Sequence, residues 1–566
     1  MPARVLRVFP VLLLGLLWLP MCVGLLGTVL PSLGWLPVLG QVEWSLQPML
    51  TLWHHPSFGS ALRHTLVSGW LSPLLALFIV VGLLAAGWQS LTLRWLRRSL
   101  STLLAIPHAA FALGLLLLVG PSGWLVRMLS PSLTGWEVPP VGHWAPDPLA
   151  LSLSLTLALK EMPFLLLMAL AGLQQLRVDA MLRLARTMGY SQWQAWRLLI
   201  VPRLLPLLRL PMFAVIAYSL TVVDIALIMG PNAPGTLAVI IDRWFNHPEV
   251  LWRLPASAGA LLLLGLTGIS FLLWLGLERW YCGWLIAQAS QGRRRGKFER
   301  LRPLVLSAGW VLGLSAIGAF LVLMLWSVSF RWGFPSAWPE QWTMGTWQRS
   351  WPRLQPAFAL TLGTGLAAAL VSLILVLGTL EFQAWQRQQQ GKDFLRWLKW
   401  LFLLPLFIPQ IAFLFGVQVW LVRLQWDGQW WALLWSHLLY VVPYMLLSLA
   451  EPYSTFDGRY MQQARGLGKS YWRALWRVKW PMLLRPILSA VAIGFAVSLA
   501  QYLPTLYVGA GRFSTITTEV VAMGVSADRR VLGVYAMIQW VLPLVIFTLA
   551  LWLPRWVYRG RKEMQL

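Results

Sequence analysis

Stretches of about twenty consecutive apolar residues recur along this chain, each long enough to cross the ~30 Å hydrocarbon layer of a membrane as one helix. The composition agrees, because 58% of the 566 residues are hydrophobic and only 11% are charged, unlike a soluble globular protein. We therefore expect an all-α polytopic membrane protein with about twelve transmembrane helices. The predicted spans lie near residues 9–29, 65–87, 103–126, 150–174, 208–230, 257–278, 304–326, 357–380, 400–422, 429–450, 486–506 and 533–554.

The positive charge of the chain, formally +26, lies mostly on one side of the predicted spans. By the positive-inside rule this side is cytoplasmic, which predicts a multi-pass membrane protein with both termini in the cytoplasm. Nucleic-acid binding is the alternative use of such a charge, and the topological placement disfavours it. We expect membrane lipid, and no nucleic acid, around the chain. The basic segments are the two termini and the connections near 94–98, 177–209, 279–302, 387–399 and 459–485.

The most informative feature is a segment that occurs twice, with Gly189 of the first copy matched to Gly468 of the second. The separation of these two glycines is called the repeat offset below. Each copy follows the fourth of six predicted spans, which predicts two parallel six-helix repeats. The corresponding division is a first transmembrane domain at 1–285, a basic cytoplasmic linker at 286–302 and a second transmembrane domain at 303–566. The matched residues are Ala185, Arg186, Gly189, Ser191, Trp193 and Pro202 in the first copy and Ala464, Arg465, Gly468, Ser470, Trp472 and Pro481 in the second.

Each copy has the pattern of a helix, a tight turn and a second helix. Gly189 and Gly468 suit the left-handed conformation that ends a helix. Ser191 with Gln194 predicts a capping box at the start of the next helix, whereas Ser470 predicts a simple side-chain cap. Apolar residues at helical spacing predict one apolar face on that second helix. They are Trp193, Trp196 and Ile200 in the first copy and Trp472, Leu475 and Trp476 in the second.

The doubled core Ala-Arg-x-x-Gly-x-Ser-x-Trp, with Pro thirteen residues after the Gly, resembles the EAA loop of permeases in binding-protein-dependent ABC importers. The pattern of that loop is Glu-Ala-Ala, three residues, Gly, nine residues and Ile-x-Leu-Pro. Arg183 and Gln462 stand where the pattern has Glu, so the resemblance rests on the core and its spacing. A duplicated chain looks like the fused permeases of the ferric iron and thiamine type. The stretches 160–164 and 509–512 look closest to the Ynj-type fused permeases.

This resemblance implies a transmembrane permease subunit of an ABC importer in the cytoplasmic (inner) membrane of a bacterium, with the two halves forming one solute pathway. In this family each EAA-type loop docks on a separate ATPase subunit, so we expect two ATPase copies and a periplasmic solute-binding protein as partners. The chain itself is then no enzyme and holds no cofactor, since the partner subunit uses the ATP. The Gly468-Lys469-Ser470 segment lacks the further Gly and the preceding strand of a phosphate-binding loop.

Three charged residues fall well inside predicted spans, away from the span ends, where a charge is expensive and is by default a functional candidate. Lys160 and Glu161 lie in the fourth span and Asp224 in the fifth. They either line the pathway or hold helices together through a buried polar network. An ion-coupled secondary transporter that uses them without any ATPase is the alternative function. The sequence has no Ser-His-Asp set and no metal-type Cys or His spacing, so neither a catalytic nor a metal site is expected.

Overall fold

The computed structural model describes residues 2–88, 90–142, 144–292, 302–390, 401–524 and 528–559. Within them the chain is helical almost throughout, with one small antiparallel sheet of β1 (Ser329–Arg331) and β2 (Gln341–Trp342). The first half of the chain contains α1 (Pro2–Ser32), α2 (Gln47–His54), α3 (Phe58–Gly87), α4 (Leu91–Ala105), α5 (His108–Val119), α6 (Trp124–Leu129), α7 (Leu151–Gln174), α8 (Val178–Thr187), α9 (Gln192–Ala195), α10 (Val201–Leu204), α11 (Arg209–Thr221), α12 (Asp224–Met229), α13 (Leu237–Phe245) and α14 (Arg253–Ser290). The second half contains α15 (Arg302–Ser327), α16 (Gly345–Gln390), α17 (Ile411–Arg423), α18 (Trp430–Ser454), α19 (Arg459–Gly466), α20 (Tyr471–Ala474), α21 (Trp480–Met482), α22 (Leu484–Leu499), α23 (Leu503–Gly509), α24 (Ile516–Met523) and α25 (Arg529–Val557).

The polytopic all-α fold is confirmed. Ten helical stretches of the described residues are long and apolar enough to cross a membrane. The pair Tyr471–Met482 and Leu484–Leu499 passes the same test together, with a bend of 77° between its two parts. The shorter apolar helix Ile411–Arg423 occupies the place of the ninth predicted span. Each predicted span thus has a helical counterpart.

Two predicted spans are broken. In the ninth, Leu404–Leu406 forms a 3-10 turn and α17 begins only after Pro409, because proline lacks the N–H of a helical hydrogen bond and keeps the preceding residue out of the helical region. In the fifth, α11 ends at Thr221 and α12 starts at Asp224. Asp224 is therefore the first residue of a short helix after a break, rather than part of a continuous span.

The predicted linker at 286–302 is only partly described by the structure. Helix α14 continues to Ser290, and α15 begins at Arg302. Residues 293–301 lie outside the described residues. The proposed boundary at 285 therefore falls inside a helix, and the assignment of two domains stays a prediction.

The first helix of each half packs against the other half of the chain. Helix α1 lies against α16 and α17, while α15 lies against α3 and α5. The backbones approach closely at small residues, since a Cβ on Gly27 would come within 2.7 Å of Gly416 and a Cβ on Gly114 within 2.7 Å of Ala319. Small residues at such crossings let transmembrane helices pack through their backbones. The two halves are consequently interlocked rather than laid side by side.

Candidate functional site

The two repeated segments have the same secondary structure at matched positions. The first loop, residues 178–202, consists of α8, a turn, α9 and a π-helical turn at Trp196–Ile200. The second loop, residues 459–481, consists of α19, a turn, α20 and a π-helical turn at Leu475–Lys479. The two π-helical turns begin and end at residues related by the repeat offset.

The turn in each loop is built around the predicted glycine. Gly189 has φ of 80° and Gly468 has φ of 78°, so the predicted left-handed conformation is confirmed at both. The N–H groups of Gly189 and Tyr190 donate to the carbonyl oxygens of Arg186 and Ala185, each at 3.0 Å. The second loop makes the same pair of hydrogen bonds at 3.0 and 3.2 Å. This is the two-bond pattern that ends a helix with a left-handed residue.

The helix that follows the turn is capped in the first loop only. Ser191 accepts from the N–H of Gln194, and the Gln194 side chain accepts from the N–H of Ser191, which confirms the predicted capping box. The predicted cap by Ser470 is wrong, since its side chain accepts no capping hydrogen bond in the described structure. Arg473 occupies the position of Gln194 and has only donors, so the reciprocal half of the box is impossible there.

The other predicted loop residues lie at matched places but differ in exposure. Buried residues stabilise the loop, and exposed residues are accessible to a partner or to lipid. Ala185 and Ala464 are buried beneath the turn, Arg186 and Arg465 are exposed, and Pro202 and Pro481 lie at the start of α10 and α21. The predicted apolar face is buried in the first loop at Trp196 and Ile200 with Trp193 half-buried, whereas in the second loop only Leu475 is buried, and Trp472 and Trp476 are exposed.

The two charged residues of α7 contact different elements, as expected for neighbours that point about 100° apart on a helix. The Lys160 Nζ atom donates to the carbonyl oxygen of Leu103 in α4 at 3.5 Å. The Glu161 Oε1 atom lies 3.8 Å from Nε2 of His108 in α5. Both side chains belong to buried residues. They therefore link α7 to α4 and α5.

Asp224 lies in the same neighbourhood as Glu161. It is buried at the start of α12, and its charge interacts with His108 and Tyr218. The rings of His108 and Tyr218 are 5.1 Å apart between centroids, and Tyr218 also interacts with the charge of Glu161. Two of the three predicted polar residues, Glu161 and Asp224, thus lie around His108 and Tyr218.

Comparison with known proteins decides the family. The chain is 33% identical to the inner membrane ABC transporter permease protein YnjC of Escherichia coli (strain K12) over 533 residues, which cover 94% of each chain. This chain belongs to the ABC transporter permease family. Two putative 2-aminoethylphosphonate transport system permease proteins PhnV, from Salmonella typhimurium and Salmonella choleraesuis, are 23% and 24% identical over 138 residues. Those residues cover 24% of this chain and 52% of each relative. No family model matches the chain.

The likeness to YnjC confirms the resemblance to Ynj-type permeases and extends over nearly the whole length of both chains. It also establishes a multi-pass protein of the inner membrane, in agreement with its many apolar helices. The chain is accordingly a permease subunit of a transporter. The loops and the buried charges described above are features of that permease.

Sequence analysis missed the exposed apolar residues at the tips of the permease loops. Met188 and Leu467, which immediately precede the two turn glycines, are 52% and 80% exposed. They too are related by the repeat offset, although the two amino acids differ. The sequence contains a signal for these residues, because the residue just before a helix-ending glycine lies at the corner of the turn and its side chain is exposed there.

A second missed group joins the two halves of the permease. Asp242 in α13 is buried and accepts a hydrogen bond from the Tyr507 hydroxyl of α23 at 3.0 Å. Tyr502, just before α23, interacts with the charges of Asp242 and Asp224, and Tyr444 in α18 interacts with that of Glu161. The Tyr507 hydroxyl of the second half thus binds a carboxylate of the first half, and Tyr502 and Tyr444 lie within electrostatic range of its buried carboxylates. The sequence placed Asp242 in a connection between spans, so its burial was not expected.

The turn geometry carries a testable expectation. Gly468→Val places a β-branched residue at φ of 78°, and the left-handed conformation costs such a residue about 1–2 kcal/mol. A Cβ at Gly468 meets no atom within 4 Å, so the effect comes from the backbone conformation alone. We expect amide hydrogen exchange of residues 459–470 to rise by about five- to thirty-fold. Gly466→Val is the matched control, because Gly466 lies in α19 and its Cβ position is also open. Equal exchange in both variants would contradict the assigned strain.

Proposed function

We propose that this permease is the membrane-spanning subunit of a binding-protein-dependent importer, and that its two loops each dock on one ATPase subunit. The observation that carries the proposal is the shared helix, left-handed turn and π-helical turn in two loops related by the repeat offset. Each turn presents an exposed apolar residue, Met188 or Leu467, beside an exposed arginine. Exposed apolar side chains with a polar rim suit a protein interface.

The two halves, 1–285 and 303–566, would then form the two sides of one solute pathway. Support comes from the polar group between them, in which Asp242 of the first half accepts a hydrogen bond from Tyr507 of the second. Glu161 and Asp224 lie within electrostatic range of Tyr444 and Tyr502 of the second half. Charged groups within membrane-spanning structure usually face a bundle interior or a water-filled path. Lys160 and Glu161 belong to this group through α7. Closure of the ATPase pair would move the two loops and thereby open the pathway on alternate sides, with a periplasmic binding protein delivering solute to the opposite mouth.

The names of the relatives fit this assignment, since one is an ABC transporter permease and others are named as permeases of a transport system. The partner ATPase would supply the ATP hydrolysis, and the permease would need no cofactor of its own. Its two termini would lie on the side of the loops. Two equivalent loops in one chain imply two ATPase copies per permease.

Native mass spectrometry of the permease purified with its ATPase tests this stoichiometry. We expect one permease chain with two ATPase copies, and an ATP hydrolysis rate that falls to background when the permease is omitted. A pH-sensitive dye inside liposomes that contain the permease alone provides the second measurement. Proton flux without ATPase, combined with no ATPase in the purified complex, would overturn the proposal in favour of an ion-coupled transporter that uses Glu161 or Asp224.

A further inference from the structure

Each loop is hydrogen-bonded to an earlier span of its own half, the first loop to α3 and the second to α16. In the first half the Gln192 side chain donates to the carbonyl oxygen of Ala85 at 2.9 Å. In the second half the Tyr471 hydroxyl donates to Oε1 of Glu381. Gln192 and Tyr471 are matched by the repeat offset. Whether Ala85 and Glu381 are also equivalent depends on how α3 aligns with α16.

A second pair of contacts answers it. The N–H of Leu237 donates to Oγ1 of Thr65 at 2.8 Å, and the N–H of Ile516 donates to Oγ1 of Thr361 at 2.9 Å. Leu237 and Ile516 are again matched by the repeat offset. Thr65 and Thr361 are separated by a longer stretch of chain, and Ala85 and Glu381 are separated by the same longer stretch. Helices α3 and α16 are therefore matched with this second offset, and Glu381 occupies the position of Ala85.

The chemistry at the matched positions differs. Ile200 in the first loop corresponds to Lys479 in the second. Ala85 and Ile200 are buried within the main hydrophobic core of the protein. Lys479 and Glu381 are buried too, but as an ion pair with 2.6 Å between Nζ and Oε2. At these two matched positions, the apolar side chains of the first half are thus replaced by an ion pair in the second.

Glu381 is the centre of a network that joins three elements. Its Oε2 atom also accepts from the Tyr453 hydroxyl at 2.5 Å, and its Oε1 atom accepts from Tyr471. The Lys479 ammonium lies 4.0 Å from the centroid of the Tyr453 ring. The network connects α16 through Glu381, α18 through Tyr453 and the second loop through Tyr471 and Lys479. Buried charge-assisted hydrogen bonds of this kind are strong and geometrically specific.

Apolar packing holds the second loop less extensively than the first. The buried apolar residues of the first loop belong to the main core. Those of the second loop form a small separate cluster of Met461, Ala464, Ala474 and Leu475. A cavity of about 180 Å³ lies beside the network and is lined by Glu381, Tyr453, Tyr471 and Lys479 among other residues of α16, α18 and the loop. The network consequently bridges a region that side chains do not fill.

We propose that Glu381 and Lys479 are positioning residues that make the second loop move as one body with α16 and α18. The inference rests on the proposed function in one respect, namely that an ATPase displaces the loop. It adds that the two loops transmit this displacement through different chemistry. The first loop acts through apolar contact with the core and the neutral hydrogen bond from Gln192 to Ala85, and the second acts through a buried ion pair with two tyrosine hydroxyls.

The test replaces the network by its counterpart from the first half. Glu381→Ala combined with Lys479→Ile reproduces the Ala85 and Ile200 pair and leaves no unpaired charge. Tyr471→Phe is a milder variant that removes only the hydroxyl on the loop. The matched control is Arg209→Met combined with Glu278→Gln, which removes a bidentate ion pair of 2.7 and 2.9 Å between α11 and α14. Hydrogen exchange is followed in residues 459–479, 178–200 and 380–388.

In the permease alone we expect the Glu381→Ala/Lys479→Ile variant to raise exchange in residues 459–479 by about ten-fold, because charged hydrogen bonds that restrain the loop are lost. Residues 178–200 should keep their exchange rates, and the control pair should leave residues 459–479 unchanged. Tyr471→Phe should give a smaller rise in the same segment. Unchanged exchange in residues 459–479 in both network variants overturns the proposal.

Adding the ATPase with trapped ATP distinguishes positioning from simple stabilisation. In the wild-type complex we expect exchange to change in both loops and in residues 380–388. In the network variant the second loop should still respond, while residues 380–388 should not. A response of residues 380–388 that survives in the variant overturns the positioning role. If exchange changes in neither loop of the wild-type permease when ATPase and ATP are added, the proposed function is wrong. The role of the Glu381 network is then still tested by the exchange rates of the permease alone.

Discussion

Met188→Asp combined with Leu467→Asp is expected to release both ATPase copies from the permease. The two side chains are exposed at the loop tips and are the apolar residues nearest to the turn glycines in both loops. Apolar anchors at the centre of a protein interface contribute about 2 kcal/mol or more each, and burying an unpaired carboxylate in their place adds a desolvation penalty. Each single variant should therefore lose one ATPase copy, and the double variant both. Native mass spectrometry and the ATP hydrolysis rate of the purified complex measure the effect.

Val42→Asp is the matched control for these substitutions. Val42 is 61% exposed in the connection after α1, so the change adds the same charge to an equally accessible site away from the loops. We expect it to leave both ATPase copies in place. If the double loop variant also retains both copies, the loops rest on lipid as basic amphipathic segments do, and the docking assignment is wrong.

Cysteine cross-linking examines the same contact without a charge. Met188→Cys and Leu467→Cys, after replacement of Cys22 and Cys282, should each cross-link to a cysteine in the ATPase cleft. Ser191 is a poorer position, because its hydroxyl caps α9. The yield should change when ATP is trapped, since closure of the ATPase pair moves the clefts.

Glu161→Leu is expected to destabilise the permease strongly. Lys160 and Glu161 form no direct ion pair, but the substitution removes the nearby carboxylate charge that acts on the buried Lys160 ammonium, and a buried charge left without an opposite charge costs about 3–5 kcal/mol. We expect a lower thermal unfolding midpoint in detergent and less monodisperse protein on size-exclusion chromatography. Lys160→Met combined with Glu161→Leu should recover most of the loss, because no unpaired charge remains.

Glu340→Leu is the surface control for this comparison. The Glu340 side chain is 40% exposed and pairs with Arg331 at 3.3 Å, and exposed ion pairs contribute only about 0–1 kcal/mol. Its unfolding midpoint should stay close to that of the wild type. If Glu161→Leu and Glu340→Leu have equal midpoints, Glu161 is solvated, and the buried polar group between the halves is wrongly described.

The sequence predicts the fold well, because each span must bury about twenty apolar residues in lipid and such runs are visible without any tertiary information. The loop turns were predictable for a similar reason, since a left-handed helix end favours glycine at one defined position. The exact course of the ninth span was not, although Pro405 and Pro409 mark where the helix breaks. Hydropathy reports apolarity and is insensitive to such a break.

The sequence does not predict the partners of the buried charged residues. Asp242 meets Tyr507, and Glu381 meets Lys479, across 265 and 98 residues of chain. No local spacing rule relates residues so far apart, and only the packing of the helices brings them together. Lys160, Glu161 and Asp224 could be selected as candidates from their depth in the spans, but His108 and Tyr218 became their neighbours only in the folded protein.

In a continuous α-helix, the direction in which the loop faces would fix the direction in which the following span faces. The π-helical turns at Trp196–Ile200 and Leu475–Lys479 remove this link. A π-helical turn accommodates one extra residue, and one residue rotates a helix face by about 100°. The side of each loop that is exposed is therefore independent of the side that the following span turns toward its neighbours. Over evolutionary time, substitutions and single-residue insertions can re-orient the span, and with it the residues that face a pathway, while the exposed side of the loop stays constant. If the loops dock on ATPase subunits as proposed, one kind of ATPase can in this way serve permeases with different interiors.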